Sequence, residues 1–352
     1  MNLYITRNYG NKNTKNAGSK APLDINRICN RSGWQEIVFE LPAEDATKFE
    51  KLKFFLFKCP MQWMQLGKST GAVVLYQHPM YFGTKIAVHF IPFLKKHFHI
   101  RFVVLLHDLE SLRERATKSE QKFIYKDIEL VKHADVVICH NKKMKQYLID
   151  CGVKSDKLIE LGIFDYLYDL TKQIGTPTTD VVIAGNLSPQ KCGYIYKLAS
   201  ENPNLKISLY GIGLDETLQT GNMRYRGSFS PEELPQKLDA KYGLVWDGPE
   251  ITTCCGPFGE YLKYNNPHKL SLFMAAGIPV ITWKEAAIAD FVKEQNVGIL
   301  VDSLCNLKNE LGKVTDEEYE IMKKNAEKIS LKVREGYYFK TALDKAVKLC
   351  IK

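Results

Sequence analysis

The stretch NNPHKLSLFMAAGIPVI, residues 265–281, sets the plan of the fold. Asn266 suits the cap of a helix and Pro267 its first position, while Leu270, Phe273, Met274 and Gly277 fall on one face at helical spacing. Gly277 closes the helix and Val280–Thr282 then reads as a strand, so the stretch is a helix feeding a buried strand. His268 and Lys269 stand in the first turn, where the helix dipole disfavours positive charge by about 0.3–1 kcal/mol per group. A bound anion turns that penalty into a gain, because the free N–H groups of a helix N-terminus already attract one.

The same alternation extends in both directions. Leu3–Thr6, Glu36–Phe39, Val73–Tyr76, Phe102–Leu106 and Val136–Cys139 are predicted strands with helical patterns between them. After an irregular aromatic segment, Val181–Ala184, Ile207–Tyr210, Leu244–Trp246, Val280–Thr282 and Ile299–Val301 repeat the pattern. The expected fold is α/β, with two Rossmann-like domains built on parallel sheets and a cleft between them. The first domain is expected over 1–165 and the second over 175–335, with a helix, 336–352, closing the chain. A chain of 352 residues fits two such domains.

Composition excludes several classes. With 45% apolar and 25% charged residues the chain is an ordinary globular protein. Nine cysteines show no C-x-x-C and no zinc spacing, which suits a reducing compartment. The start lacks a signal-peptide core and no apolar run reaches the ~20 residues of a membrane span, so a cytoplasmic location is expected. A net charge of +9 favours anionic partners without choosing among them, and no nucleic-acid module is visible. GIGLDE at 211–216 lacks the third glycine of a dinucleotide fingerprint, which argues against a dehydrogenase. Two stretches, 49–68 and 85–101, mix aromatic residues with lysines. They read as core helices with basic outer faces, or as a peripheral dock on the anionic inner face of the plasma membrane.

Open α/β sheets bind ligands outside the carboxyl ends of their strands. That rule singles out Gly185-Asn186, Tyr210-Gly211, Trp246-Asp247 and the loop to Asn266 in the second domain. In the first it singles out the loop after Thr6, where Gly18 permits close backbone approach, and the pair His107-Asp108.

Five segments in this order carry a wider resemblance: NAGSKAPLDI (16–25), LLHDLESLR (105–113), AGNLSPQK (184–191), GEYLKYNNPHKLSLFMAAGIPVI (259–281) and WKEAAIADFV (283–292). Together they resemble bacterial GT-B glycosyltransferases of the family that includes the glucosyltransferase adding the second sugar to serine-rich adhesins and the β-galactofuranosyltransferases. The resemblance implies a GT-B fold whose closing helix, 336–352, crosses back to the first domain, and an inverting hexosyltransferase that takes galactofuranose or glucose from a UDP-sugar. The acceptor would be a sugar hydroxyl on a glycan, glycoprotein or lipid-linked saccharide, and no metal or other cofactor is expected. A second reading is a non-catalytic subunit that binds the nucleotide-sugar for a partner transferase. Homo-oligomers are compatible with either.

The resemblance assigns the donor to Asn186, Lys191, Tyr210, Asn266, His268 and Lys269. It assigns the acceptor to Thr14, Ala17, Gly18 and Ser19, with Lys20 beside them. Asp108 is then the base that removes the acceptor proton, with His107 and Glu110 as substitutes, and a helix cap is the competing role for Asp108. One departure stands out. Many GT-B enzymes carry NPxKxxE, whose glutamate grips the donor ribose, and here that position is Leu272.

Overall fold

The computed structural model describes residues 1–7, 19–42, 46–80, 84–113, 121–169, 176–218 and 220–351. They form two compact units, one of residues within 1–7, 25–161 and 339–351, the other of residues within 19–24 and 162–338. The segment 19–24, which chain order alone assigns to the first domain, thus belongs to the second unit.

The first unit holds β1 (Asn2–Arg7), β2 (Gln35–Phe39), β3 (Val73–His78), β4 (Arg101–Leu106), β5 (Val136–Cys139) and β6 (Leu158–Glu160), in the order β2-β1-β3-β4-β5-β6. Every pairing is parallel. β3 is buried along its whole length and β4 from Phe102 on, as apolar runs with helices on both faces require. Trp63 fills one side of this core, edge-on to Phe39 at 5.4 Å and stacked on Phe90 at 6.0 Å.

The second unit holds β7 (Thr179–Asn186), β8 (Ile207–Ile212), β9 (Met223–Tyr225), β10 (Ala240–Val245), β11 (Val280–Trp283) and β12 (Gly298–Val301), in the order β12-β11-β10-β7-β8-β9, again all parallel. The helix His268–Ala275 lies against this sheet, where Gly243 on β10 makes room for the ring of Phe273. It is buried on all sides from Leu270 to Ala275, not along one stripe, and the Ser271 hydroxyl finds its partner in the carbonyl of Phe164 at 2.7 Å.

A buried lysine completes this unit. Lys20 is 1% exposed, and its ammonium donates to Asp24 Oδ1 at 2.8 Å and to the carbonyl of Leu167 at 2.6 Å. It lies 3.8 Å from Glu232 Oε1 and 4.9 Å from the ring centre of Tyr166. Asp24 Oδ2 accepts in turn from the N–H of Leu167 at 2.9 Å. Lys20 therefore locks residues 166–167 in place and does not line an open cleft.

Candidate functional site

In the second unit the carboxyl ends of β7 and β8 come together at Gly185 and Gly211, which are register partners. A Cβ on Gly211 would sit 1.7 Å from the Gly185 carbonyl oxygen, so only glycine fits. Gly185 faces the stem of Lys269. The Lys269 ammonium donates to Asp247 Oδ1 at 2.8 Å and to the Trp246 carbonyl at 3.3 Å. Lys191 approaches the other oxygen of Asp247 to 3.9 Å, its ammonium 5.1 Å from the ring centre of Phe258. Burial opposes the charge on Lys269, but the Asp247 carboxylate outweighs it and holds the ammonium above its usual range. Two cations around one carboxylate leave a net charge of +1 beside the positive end of a helix, which is an arrangement that attracts an anion.

The neighbours of Lys269 correct part of the sequence reading. The helix begins at His268, after Pro267, and Asn266 does not cap it. Asn266 is 4% exposed and donates through Nδ2 to the carbonyl of Gly162 at 2.7 Å. Tyr210 is 3% exposed and its hydroxyl donates to the carbonyl of Lys237 at 2.5 Å, beside Asp239. Because Asp239 also pairs with Thr178 just before β7, the phenol points back toward the amino edge of the sheet and away from the carboxyl-end rim. The Asn186 side chain accepts from the N–H of Ser188 at 2.9 Å and shapes the turn after β7. The His268 ring stacks on Tyr166 at 5.2 Å and meets Phe164 edge-on at 6.1 Å, which leaves its backbone N–H as the part of His268 at the helix start.

In the first unit three successive strands end in histidine. His78 ends β3, while His107 and His140 follow β4 and β5 at the same edge. His107 Nε2 is 2.7 Å from Gln77 Oε1, and Gln77 donates to Asn26 Oδ1 at 2.7 Å. His140 Nε2 lies 3.0 Å from the carbonyl of Leu106. His78 Nε2 lies 3.2 Å from Asp127 Oδ1, and Asp127 Oδ2 accepts from the N–H of Ser111 at 3.0 Å. Asp108 and Glu110 converge on one guanidinium, at 3.0 and 3.4 Å from Arg113, and the Asp108 side chain is 29% exposed. The structure thus brings Asp108 and Glu110 together and turns His107 toward Gln77. Thr14, Ala17 and Gly18 lie outside the described residues, and Ser19 is half-buried. Among the described residues no group of three or more His, Cys, Asp or Glu is placed to hold a metal ion.

Sequence reasoning passed over His78, Asp127, Arg113 and the role of Asp247. His78, His140 and Asp247 all stand at strand ends, so the carboxyl-edge rule reaches them. Asp127 and Arg113 arrive from helices with no local signal.

Two of these imidazoles are held neutral. Burial lowers His140 to about 4 against weak support from the backbone of Leu106 and His107. Burial and then the Lys20 charge lower His268 to about 4, with the Asp165 backbone working the other way. An unfolded histidine titrates at its ordinary 6.5, so the unfolded chain binds more protons between 6.5 and 4. Stability is full above pH 6.5, falls as the pH drops toward 4 and is flat below. At about 1.36 kcal/mol per unit, each histidine costs about 2 kcal/mol at pH 5. Urea midpoints at pH 7 and pH 5 should show that loss and His140→Asn should reduce it, whereas equal midpoints would mean that neither imidazole is held neutral.

Two family models match consecutive parts of the chain, the glucosyltransferase 3-like N-terminal domain over residues 2–163 and the glucosyltransferase 3-like C-terminal domain over residues 181–346. The chain belongs to the glucosyltransferase 3-like family. It is 32% identical over 287 residues to beta-1,6-galactofuranosyltransferase WbbI of Escherichia coli (strain K12), spanning 80% of this chain and 81% of that protein. It is 26% identical over 355 residues to glucosyltransferase 3 of Streptococcus gordonii, spanning 99% and 98%. Among solved structures, Anabaena Alr3699/HepE in complex with UDP matches all of both chains at a TM-score of 0.62 and 15% identity. Sucrose-phosphate synthase from Thermosynechococcus elongatus matches 99% of this chain and 97% of that one at 0.63 and 13%. At such identities the likeness is one of fold, and the fold of this glucosyltransferase 3-like chain is GT-B.

Proposed function

We propose that the chain transfers a hexose, galactofuranose or glucose, from a UDP-sugar to a sugar hydroxyl with inversion and without a metal ion. The observation that carries this reading is the pair Lys191 and Lys269 around Asp247 at the start of the His268–Ala275 helix. A diphosphate needs fixed positive charge, and this site supplies it from side chains and a helix terminus. Family membership supports the reaction class. The two candidate sugars come from the galactofuranosyl- and glucosyltransferase names of the relatives, and the nucleotide from the UDP in the Anabaena complex.

In the proposed step an acceptor oxygen attacks the anomeric carbon and its proton passes to Asp108. The bond from that carbon to the β-phosphate oxygen breaks, and UDP departs with its charge held by Lys269 and Lys191. UDP-sugars are screened for protection against heat unfolding, and the protecting donor is then assayed with saccharide acceptors in excess EDTA. Steady release of UDP with transfer in EDTA is expected. Activity lost on chelation and restored by magnesium or manganese would remove the metal-free part of the reading. Donor binding without any turnover would favour the subunit that only binds.

A further inference from the structure

Between residues 48 and 65 the first unit carries a helical run with two different faces. It consists of Lys48–Lys53, a π turn at Phe54–Lys58, and Cys59–Gln65. On the inner face Phe54, Cys59 and Trp63 are buried. On the outer face Phe49 is 75% exposed, Phe57 64%, Met61 63% and Leu56 60%, with Leu52 and Met64 beside them. A lone exposed leucine is normal on a protein surface, but six large apolar side chains on one helix are not.

The π turn makes this face. In an unbroken α-helix, at roughly 100° per residue, Phe54 and Trp63 would point about 180° apart and Met61 would lie about 120° from Phe49. A π turn holds about one residue more than an α turn, so it takes roughly 100° of rotation out of the run. That shift lets both Phe54 and Trp63 reach the core, and the same shift brings Met61 to within about 20° of Phe49. The helix departs from regular geometry and thereby keeps an outward apolar stripe continuous.

The charge around the stripe says what covers it. Residues 48–68 contain five lysines and one acidic residue, Glu50. Lys48, Lys53, Lys58 and Lys68 are exposed, and Lys58 also reaches Glu40 at 3.3 Å. A second copy seated here would set lysine rows against lysine rows. An anionic surface with an apolar interior meets both the charge and the side chains. The second aromatic stretch differs, since the helix Thr84–Phe98 turns Ala87, Val88, Ile91 and Leu94 inward as an ordinary core helix.

We propose that the Lys48–Gln65 face docks on an anionic lipid bilayer, with Phe49, Leu56, Phe57 and Met61 entering the boundary between headgroups and acyl chains and the lysines meeting lipid phosphates. This goes beyond the donor-site reading and does not depend on it. The test uses the full chain and vesicles of phosphatidylcholine, alone or mixed with an equal part of phosphatidylglycerol. Sedimentation with the mixed vesicles is expected to exceed that with phosphatidylcholine by about tenfold and to weaken with salt. Phe49→Ser with Phe57→Ser should reduce it by at least about tenfold at an unchanged unfolding temperature. Lys53→Gln, Lys58→Gln and Lys68→Gln together should reduce it by about tenfold and flatten the salt dependence, and this surface-only variant decides if the phenylalanine variant does not fold. No sedimentation of the unaltered chain, or equal sedimentation of the variants, overturns the proposal. So does light scattering that shows an oligomer broken by the phenylalanine variant without vesicle binding, which would give the face to a second copy.

Discussion

Asp108→Asn should lower kcat by about 10²–10⁴-fold while the UDP dissociation constant stays within about threefold. Asp108 stands just past β4 with its carboxylate 3.0 Å from Arg113 and part of its surface open. Asparagine keeps the size and can still accept from Arg113 through its amide oxygen, so the local structure survives while the proposed proton acceptor is gone. The proposed nucleotide site lies on different residues, around Lys269 and Asp247, which is why affinity should hold. Turnover, calorimetric UDP affinity and melting temperature on this one variant separate the roles. Near-normal kcat with a loss of about 1 kcal/mol in stability would make Asp108 a structural group and move the base to His107 or Glu110.

Lys269→Ala should weaken UDP binding by roughly 10- to 150-fold, the equivalent of about 1.5–3 kcal/mol for a charge-assisted contact. Local reasoning from the helix dipole alone expects no loss of stability, since a cation leaves the wrong helix end. The structure reverses that expectation. Lys269 and Asp247 are 11% and 8% exposed and share a 2.8 Å contact, so removing the lysine leaves Asp247 buried with Lys191 at 3.9 Å as its remaining ion-pair partner among the described residues. A loss of about 3–5 kcal/mol is expected for the free protein. Lys269→Met combined with Asp247→Leu removes both charges and should recover most of that stability, with UDP affinity still at least about tenfold below the original. Unchanged UDP binding in Lys269→Ala would give the lysine a purely structural role.

The fold was legible wherever the apolar runs were long. All ten predicted strands are present, most of them a residue or two longer, because side chains buried on both faces leave an unmistakable run of Val, Ile and Leu. The two strands that were missed, β6 and β9, have three residues each and close the free edges of their sheets, where exposed residues such as Arg224 blur the pattern. The candidate site was legible where the motif is local. Lys269 announced itself by sitting at the wrong helix end. Its partner Asp247 lies far away in sequence and Arg113 carries no signal of its own, because an ion pair is a property of the folded chain. Tyr210 misled for a related reason. Its backbone is near a strand end, but a long phenol can lean back along the strand to bond Lys237, and sequence position says nothing of that direction.

Dividing the chain at residue 162 does not yield a complete second unit. A fragment 162–338 leaves behind Lys20 and Asp24, whose side chains satisfy both the carbonyl and the N–H of Leu167. It also exposes the face of Tyr166 that the Lys20 ammonium covers. Those groups would be orphaned, and a short peptide spanning 19–31 is their natural complement. The same holds for recombination between relatives. A single crossover near residue 162 exchanges the second sheet but separates it from the six residues that fasten its entry, so a working chimera needs two further junctions, one on each side of 19–24.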